Sequence, residues 1–124
     1  MTDQELQIMK IVWTLNEATV RDVYEKLLER RKIAYTTVMT LMKILENKGH
    51  LEKAGSDTRA FLYRPTRPQN QVIGGMVREF VNRVFNGSAE PLLVHLVKDE
   101  GLSDKELADI VRLARGVKEG RKQS

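Results

Sequence analysis

Cysteine is absent from the 124 residues, which excludes disulfides, thiolate metal sites and thiol redox switching and makes a reducing cytoplasm the natural setting. Histidine is scarce: His50 and His95 lie far apart, without an acidic or thiol companion at ligand spacing, so structural or surface roles are expected and no metal or cofactor. No stretch approaches the ~20 apolar residues that cross a bilayer. The chain opens on acids and amides rather than the basic and apolar regions of a signal peptide, so no membrane insertion is expected. Catalytic patterns are missing as well. There is no nucleophile beside a base, no carboxylate pair placed for acid–base work, and Gly74-Gly75 fits no phosphate-cradling loop, so an enzyme is not expected.

What is present is concentrated in residues 34–49, reading AYTTVMTLMKILENKG. Helical spacing places Ala34, Val38, Leu41 and Leu45 on one apolar stripe. Away from it lie Thr36, Met39, Thr40 and Lys43, with Tyr35 beside them. A helix that only faces water favours Glu, Lys and Gln; three threonines before the first acid, Glu46, suit a face that lies against something negatively charged. Gly49 supplies a left-handed stop. Two strand-like runs follow, His50 to Ala54 and Arg59 to Arg64, around a polar turn, Gly55 to Thr58, and Pro65 closes the second. Upstream, Thr19 is the expected N-cap of an amphipathic segment through Arg31, with Val20, Val23, Tyr24, Leu27 and Leu28 on its apolar face. An earlier helix is anchored by Trp13 with Ile8, Ile11, Val12 and Leu15, and its indole N–H needs a partner.

Helix, short connection, helix and β-hairpin is the order of a winged helix-turn-helix, in which the second helix of the pair enters the major groove and the hairpin reaches the flanking backbone. Charge agrees. Between Arg30 and Arg67 nine basic residues face three acidic ones, a net of +6, whereas the whole chain carries +4, so the remainder is at −2. Such a patch gives salt-sensitive affinity for phosphates and leaves sequence reading to base edges.

Pro65 to Pro68 suppresses helix and strand, which sets an expected boundary between residues 1–68, the winged helix-turn-helix, and 69–124, a helical region. The fold class is then mainly α with a small β-hairpin. Three helical patterns follow the boundary: Gln69 to Phe85, Ser88 to Glu100 and Ser103 to Lys118, with Ser88 and Ser103 as expected N-caps and a polar tail beyond Lys118 expected to fray. Their apolar positions include Ile73, Met76, Val77, Phe80, Val84, Leu92, Leu93, Leu96, Ile110 and Leu113. So short a segment cannot bury that much apolar surface alone, and a two-fold copy of the chain is the simplest partner. Gly74-Gly75 inside the first pattern suits either a close helix approach or a hinge.

The recognition-type helix, the opening Ile11-Val12-Trp13, the wing ending in FLYRPT and the three-helix tail together resemble the penicillinase-repressor family, the BlaI/MecI type of bacterial winged-helix repressor. The resemblance spans about Gln4 to Val117. It implies a cytoplasmic homodimer that represses transcription from a palindromic double-stranded DNA operator, commonly ahead of genes for β-lactam resistance. It also implies release by a membrane sensor protease that cuts the dimerisation region. The bond in the corresponding place is His95-Leu96, where the family's usual pair is Asn-Phe. A copper-responsive branch senses metal through C-terminal cysteines, a mode this chain lacks.

The DNA-contacting candidates are Thr19, Tyr35, Thr36, Thr37, Met39, Thr40, Lys43 and, on the wing, Arg59. Threonine methyls suit thymine and their hydroxyls suit phosphate. Thr37 sits nearer the core stripe, where a structural role is the plainer reading, and Met39 is equally a half-buried helix residue. The alternative is a winged helix used as a protein-interaction module, for which Leu or Phe would be expected where Thr and Lys stand.

Overall fold

Thr2 and Thr19 open the first two helices by the same device. In the computed structural model, which describes residues 1–57 and 60–123, with side chains at all of these except 56, 57 and 116–123, each threonine hydroxyl accepts from the backbone N–H three residues on. The acid there, Glu5 or Asp22, accepts from the threonine N–H in return, at 3.3 and 3.0 Å. These caps begin α1 (Asp3–Leu15) and α2 (Val20–Leu28). Next come α3 (Tyr35–Asn47), β1 (Leu51–Asp57) and β2 (Ala60–Pro65), then α4 (Gln69–Phe85), α5 (Glu90–Asp99) and α6 (Asp104–Gln123).

The chain divides into two compact units, Met1–Gly75 and Met76–Ser124. In the first, Ile8, Val12, Val23, Val38, Met42, Leu45 and Leu51 are buried together. The buried stripe of α3 is therefore Val38, Met42 and Leu45, with Leu41 half-buried; Ala34, counted in the expected stripe, is the exposed N-cap. Leu28, expected on the apolar face of α2, is 43% exposed, because α2 ends there and the chain turns away. Trp13 finds the partner its indole requires, donating to the Arg67 carbonyl at 3.0 Å. Val72 and Ile73 pack against this same core, so the first unit continues to Gly75 rather than ending at Pro68.

Gly49 ends α3 at φ 85°, and two reverse bonds close the helix: Gly49 N–H to Glu46 O at 3.0 Å and His50 N–H to Leu45 O at 2.9 Å. His50 is thus taken up by the helix end, and the strand begins at Leu51. The hairpin is antiparallel, pairing Leu51 with Pro65 and Asp57 with Ala60, with a register shift between Lys53 and Gly55. That bulge, with Gly55 at φ 151°, absorbs one residue and lets the ladder run on to the Asp57–Ala60 pair, so Gly55 to Asp57, expected in the turn, belong to β1. A bridge between Ala18 and Tyr63 adds a short third edge and fixes the wing to the loop before α2, with both bonds at 2.9 Å.

In the second unit, Val81 is the only buried hydrophobic among the described residues, and α5 buries none. Ser88, the expected cap of α5, is instead part of the turn closing α4: its N–H bonds Phe85 O at 3.1 Å, and the cap position falls to Ala89. Ser103 does cap α6, accepting from Glu106 N–H at 3.1 Å, and that helix extends beyond Lys118 to Gln123.

Candidate nucleic-acid interface

The exposed face of α3 carries Tyr35, Thr36, Thr37, Met39, Thr40 and Lys43 together, with Met39 at 47% exposure. Thr37 lies on the exposed side rather than in the core stripe. Unlike α1 and α2, α3 has no side-chain cap and no acid in its first turn. Its first N–H groups and the positive end of its dipole are therefore left for an external anion. Lys43 forms no ion pair among the described residues, whereas Lys48, Lys53 and Arg64 are drawn to Glu5, Glu46 and Glu52 at 3.0, 3.8 and 2.7 Å. Three of the nine cations in the window are thus drawn to carboxylates, and Lys43 stands out among those that remain.

Tyr35 is held from α2. The Tyr24 ring meets it edge-on at 5.3 Å, and the Arg21 guanidinium lies 5.9 Å from its centroid. Neither Arg21 nor Tyr24 was singled out by sequence as a site residue. A signal existed: a helix favours acids in its first turn, yet Arg21 stands two residues after the Thr19 cap. Thr19 is half-buried, with its hydroxyl accepting from Asp22 N–H at 3.1 Å. On the wing, Phe61 is 56% exposed, with the Lys53 ammonium 4.2 Å from its ring centroid. Arg59, expected as the wing contact, lies outside the described residues.

Two concavities also lie in this unit, both away from the α3 face. Among the described residues no cluster of three His, Asp or Glu side chains could hold a metal, and no helix is long and apolar enough to cross a membrane.

A winged helix-turn-helix with this α3 face is matched over residues 1–115 by the family model described as penicillinase repressor. The chain belongs to the penicillinase repressor family. It is 37% identical over 114 residues to the transcriptional regulator BlaI of Mycobacterium tuberculosis, covering 90% of this chain and 80% of that one. The penicillinase repressor of Bacillus licheniformis is 24% identical over 123 residues, 99% of this chain and 95% of the relative. Among solved structures, the DNA-binding domain of the repressor BlaI aligns at a TM-score of 0.51 and 26% identity, over 56% of this chain and 83% of that domain. A mutant of MarR from E. coli aligns at a TM-score of 0.55 over 94% of this chain and 77% of that one, but at 16% identity it speaks for the winged-helix fold alone. The penicillinase repressor family is one of DNA-binding transcriptional repressors and antibiotic-resistance regulators, not of enzymes.

Proposed function

We propose that this penicillinase repressor family member binds a palindromic double-stranded DNA operator as a homodimer and controls genes of the β-lactam-resistance type from the bacterial cytoplasm. The observation that carries the reading is the α3 face: threonines, Met39 and Lys43 exposed beside an uncapped helix start. Thr36 and Thr40 read base edges through methyl and hydroxyl, Met39 meets thymine methyls, and Tyr35, Lys43 and Arg21 take backbone phosphates. Thr19 and Thr37 flank that contact, and Arg59 with Phe61 reaches the adjacent groove from the wing.

Dimerisation belongs to the second unit. Val77, Phe80 and Val84 form one exposed stripe on α4, and Leu93, Leu96, Ile110 and Leu113 are exposed on α5 and α6, Leu113 at 72%. Met76 and Leu92 are half-buried beside them. An uncovered apolar surface of this extent calls for a partner, and a symmetric copy matches the symmetry of a palindrome. Ile73 supports the winged unit rather than this face, since it packs on the first unit's core.

Release proceeds by a sensor protease cutting His95-Leu96. The bond lies inside α5, where His95 Nδ1 is 2.9 Å from Asp99 on the next turn and both side chains are exposed. In the single chain α5 has no buried residue and no side-chain cap, so where the partner's cover is released it opens locally at little cost, which is what presenting an extended substrate requires. Sedimentation of the protein alone and with a palindromic duplex tests the assembly. Two chains free and two chains per duplex are expected; a monomer that occupies single half-sites independently contradicts it.

A further inference from the structure

Tyr35 is the first residue of α3, follows an N-cap that makes no side-chain bond, and is 38% exposed. Two side chains of α2, one turn apart, meet its ring. Tyr24 stands edge-on, with 5.3 Å between centroids and 80° between planes, and the Arg21 guanidinium carbon lies 5.9 Å from the Tyr35 centroid. The two restraints are unequal. Arg21 is at the outer reach of cation–ring attraction, about 6 Å. Its side chain is 70% exposed, and Glu25 draws it from 3.6 Å. Tyr24 instead is half-buried and packs against the core of the first unit, on the helix that buries Val23 and Leu27. An edge-on aromatic pair is favourable beyond the area it buries, so Tyr24 carries the rigidity of the core to a side chain at the surface. A side chain already held in place gives up less freedom when it is immobilised on a partner, and that saving appears as affinity.

We propose that Tyr24 is a positioning residue for DNA binding: it does not touch DNA, but holds the Tyr35 ring where the phenol O–H donates to a backbone phosphate. The inference rests on the reading of the α3 face as the DNA-binding surface. A phosphate carries no sequence, so Tyr24 contributes affinity for any duplex, whereas Thr36 and Thr40 choose between bases. A phenol is neutral and releases no counterion, so the contribution is insensitive to salt, unlike that of Lys43.

The test is a double-mutant cycle in the full chain, Tyr24→Leu, Tyr35→Leu and both together, titrated against palindromic and scrambled duplexes at two salt concentrations. Tyr24→Leu keeps apolar bulk on the core and removes the ring. It should weaken both duplexes by about three- to tenfold, with the salt slope unchanged. Tyr24→Phe keeps the ring and should stay within about twofold of the wild type. Combined with Tyr35→Leu, the Tyr24→Leu change should cost less than about twofold more, whereas a merely structural role would add its full loss again. Nuclear Overhauser contacts between the two rings, expected in the DNA-free wild type at a 5.3 Å separation, give a readout that does not depend on any variant folding. Additive losses, a Tyr24→Phe loss equal to that of Tyr24→Leu, or absent ring contacts would each overturn the proposal. So would a salt slope lowered by about 0.9, which would assign the effect to Arg21. Equal wild-type affinity for the two duplexes would contradict the operator reading instead, and the cycle on either duplex would still decide the role of Tyr24; a wild type that binds neither duplex would overturn both.

Discussion

The Lys48 ammonium lies 3.0 Å from Oε2 and 3.1 Å from Oε1 of Glu5, a carboxylate only 2% exposed, so the C-terminal end of α3 is pinned to the first turn of α1. The two partners are unequal, since the Lys48 side chain is about half in solvent. Removing Glu5 releases the lysine to water; removing Lys48 strands a buried carboxylate. Lys48→Met should therefore cost about 2 kcal/mol or more and Glu5→Gln distinctly less, measured by urea unfolding. Equal costs would mean that the pair is not buried in the way described.

Acid should weaken the same contact. Burial alone would raise the Glu5 carboxyl, but hydrogen bonds from Lys48 and from the Thr2 hydroxyl and N–H, with the lysine charge, outweigh it and hold the group below its ordinary 4.5. A carboxyl lowered by folding contributes stability that is fully present above 4.5 and is lost as pH falls through the folded value. The wild-type melting temperature should thus fall more steeply below that pH than that of Glu5→Gln. Parallel pH profiles would remove Glu5 from the account.

On α3, charge and shape separate. Lys43→Ala should weaken operator and random DNA alike and lower the salt slope by about 0.9, the effect of one lost phosphate contact. Thr40→Ala should relax preference at a single base pair, by about 1–3 kcal/mol, and leave random DNA nearly unaffected. Titrations of operator point variants distinguish the two; a uniform loss in both proteins would rule out direct readout by this face.

Phe80 is 40% exposed on α4, its ring 5.9 Å from that of Phe85. Phe80→Glu removes that one ring contact from a single chain and places a charge on the apolar stripe. Sedimentation should show monomers with unchanged helix content, and operator affinity should drop sharply because two half-sites no longer bind as one unit. An unchanged mass would move the interface elsewhere.

Local chemistry was legible in the residues wherever one short stretch decided it. Thr19 with Asp22 and Ser103 with Glu106 both cap as their spacing implies, and Gly49 ends α3 with a left-handed backbone. Ser88 failed because Asn86 and Gly87, both at positive φ, draw it into the closing turn of α4. Met42 was missed because the apolar stripe was counted from Ala34, which stands outside the helix as its cap; counting from Val38 gives Met42 and Leu45 at once. Contacts set by tertiary packing left no local trace. The Trp13 bond to Arg67 joins residues 54 apart, and the edge-on meeting of Tyr24 with Tyr35 depends on how α2 crosses α3. The basic window pointed to the right unit, but three of its cations are occupied by Glu5, Glu46 and Glu52.

The most direct test of the central claim is a titration against the palindrome upstream of the protein's own gene, with a scrambled duplex beside it, at low and physiological salt. The account predicts binding of the palindrome at least about a thousandfold tighter than the scrambled duplex at physiological salt, with both weakened as salt rises. Equal affinity for the two duplexes at both salts would contradict it.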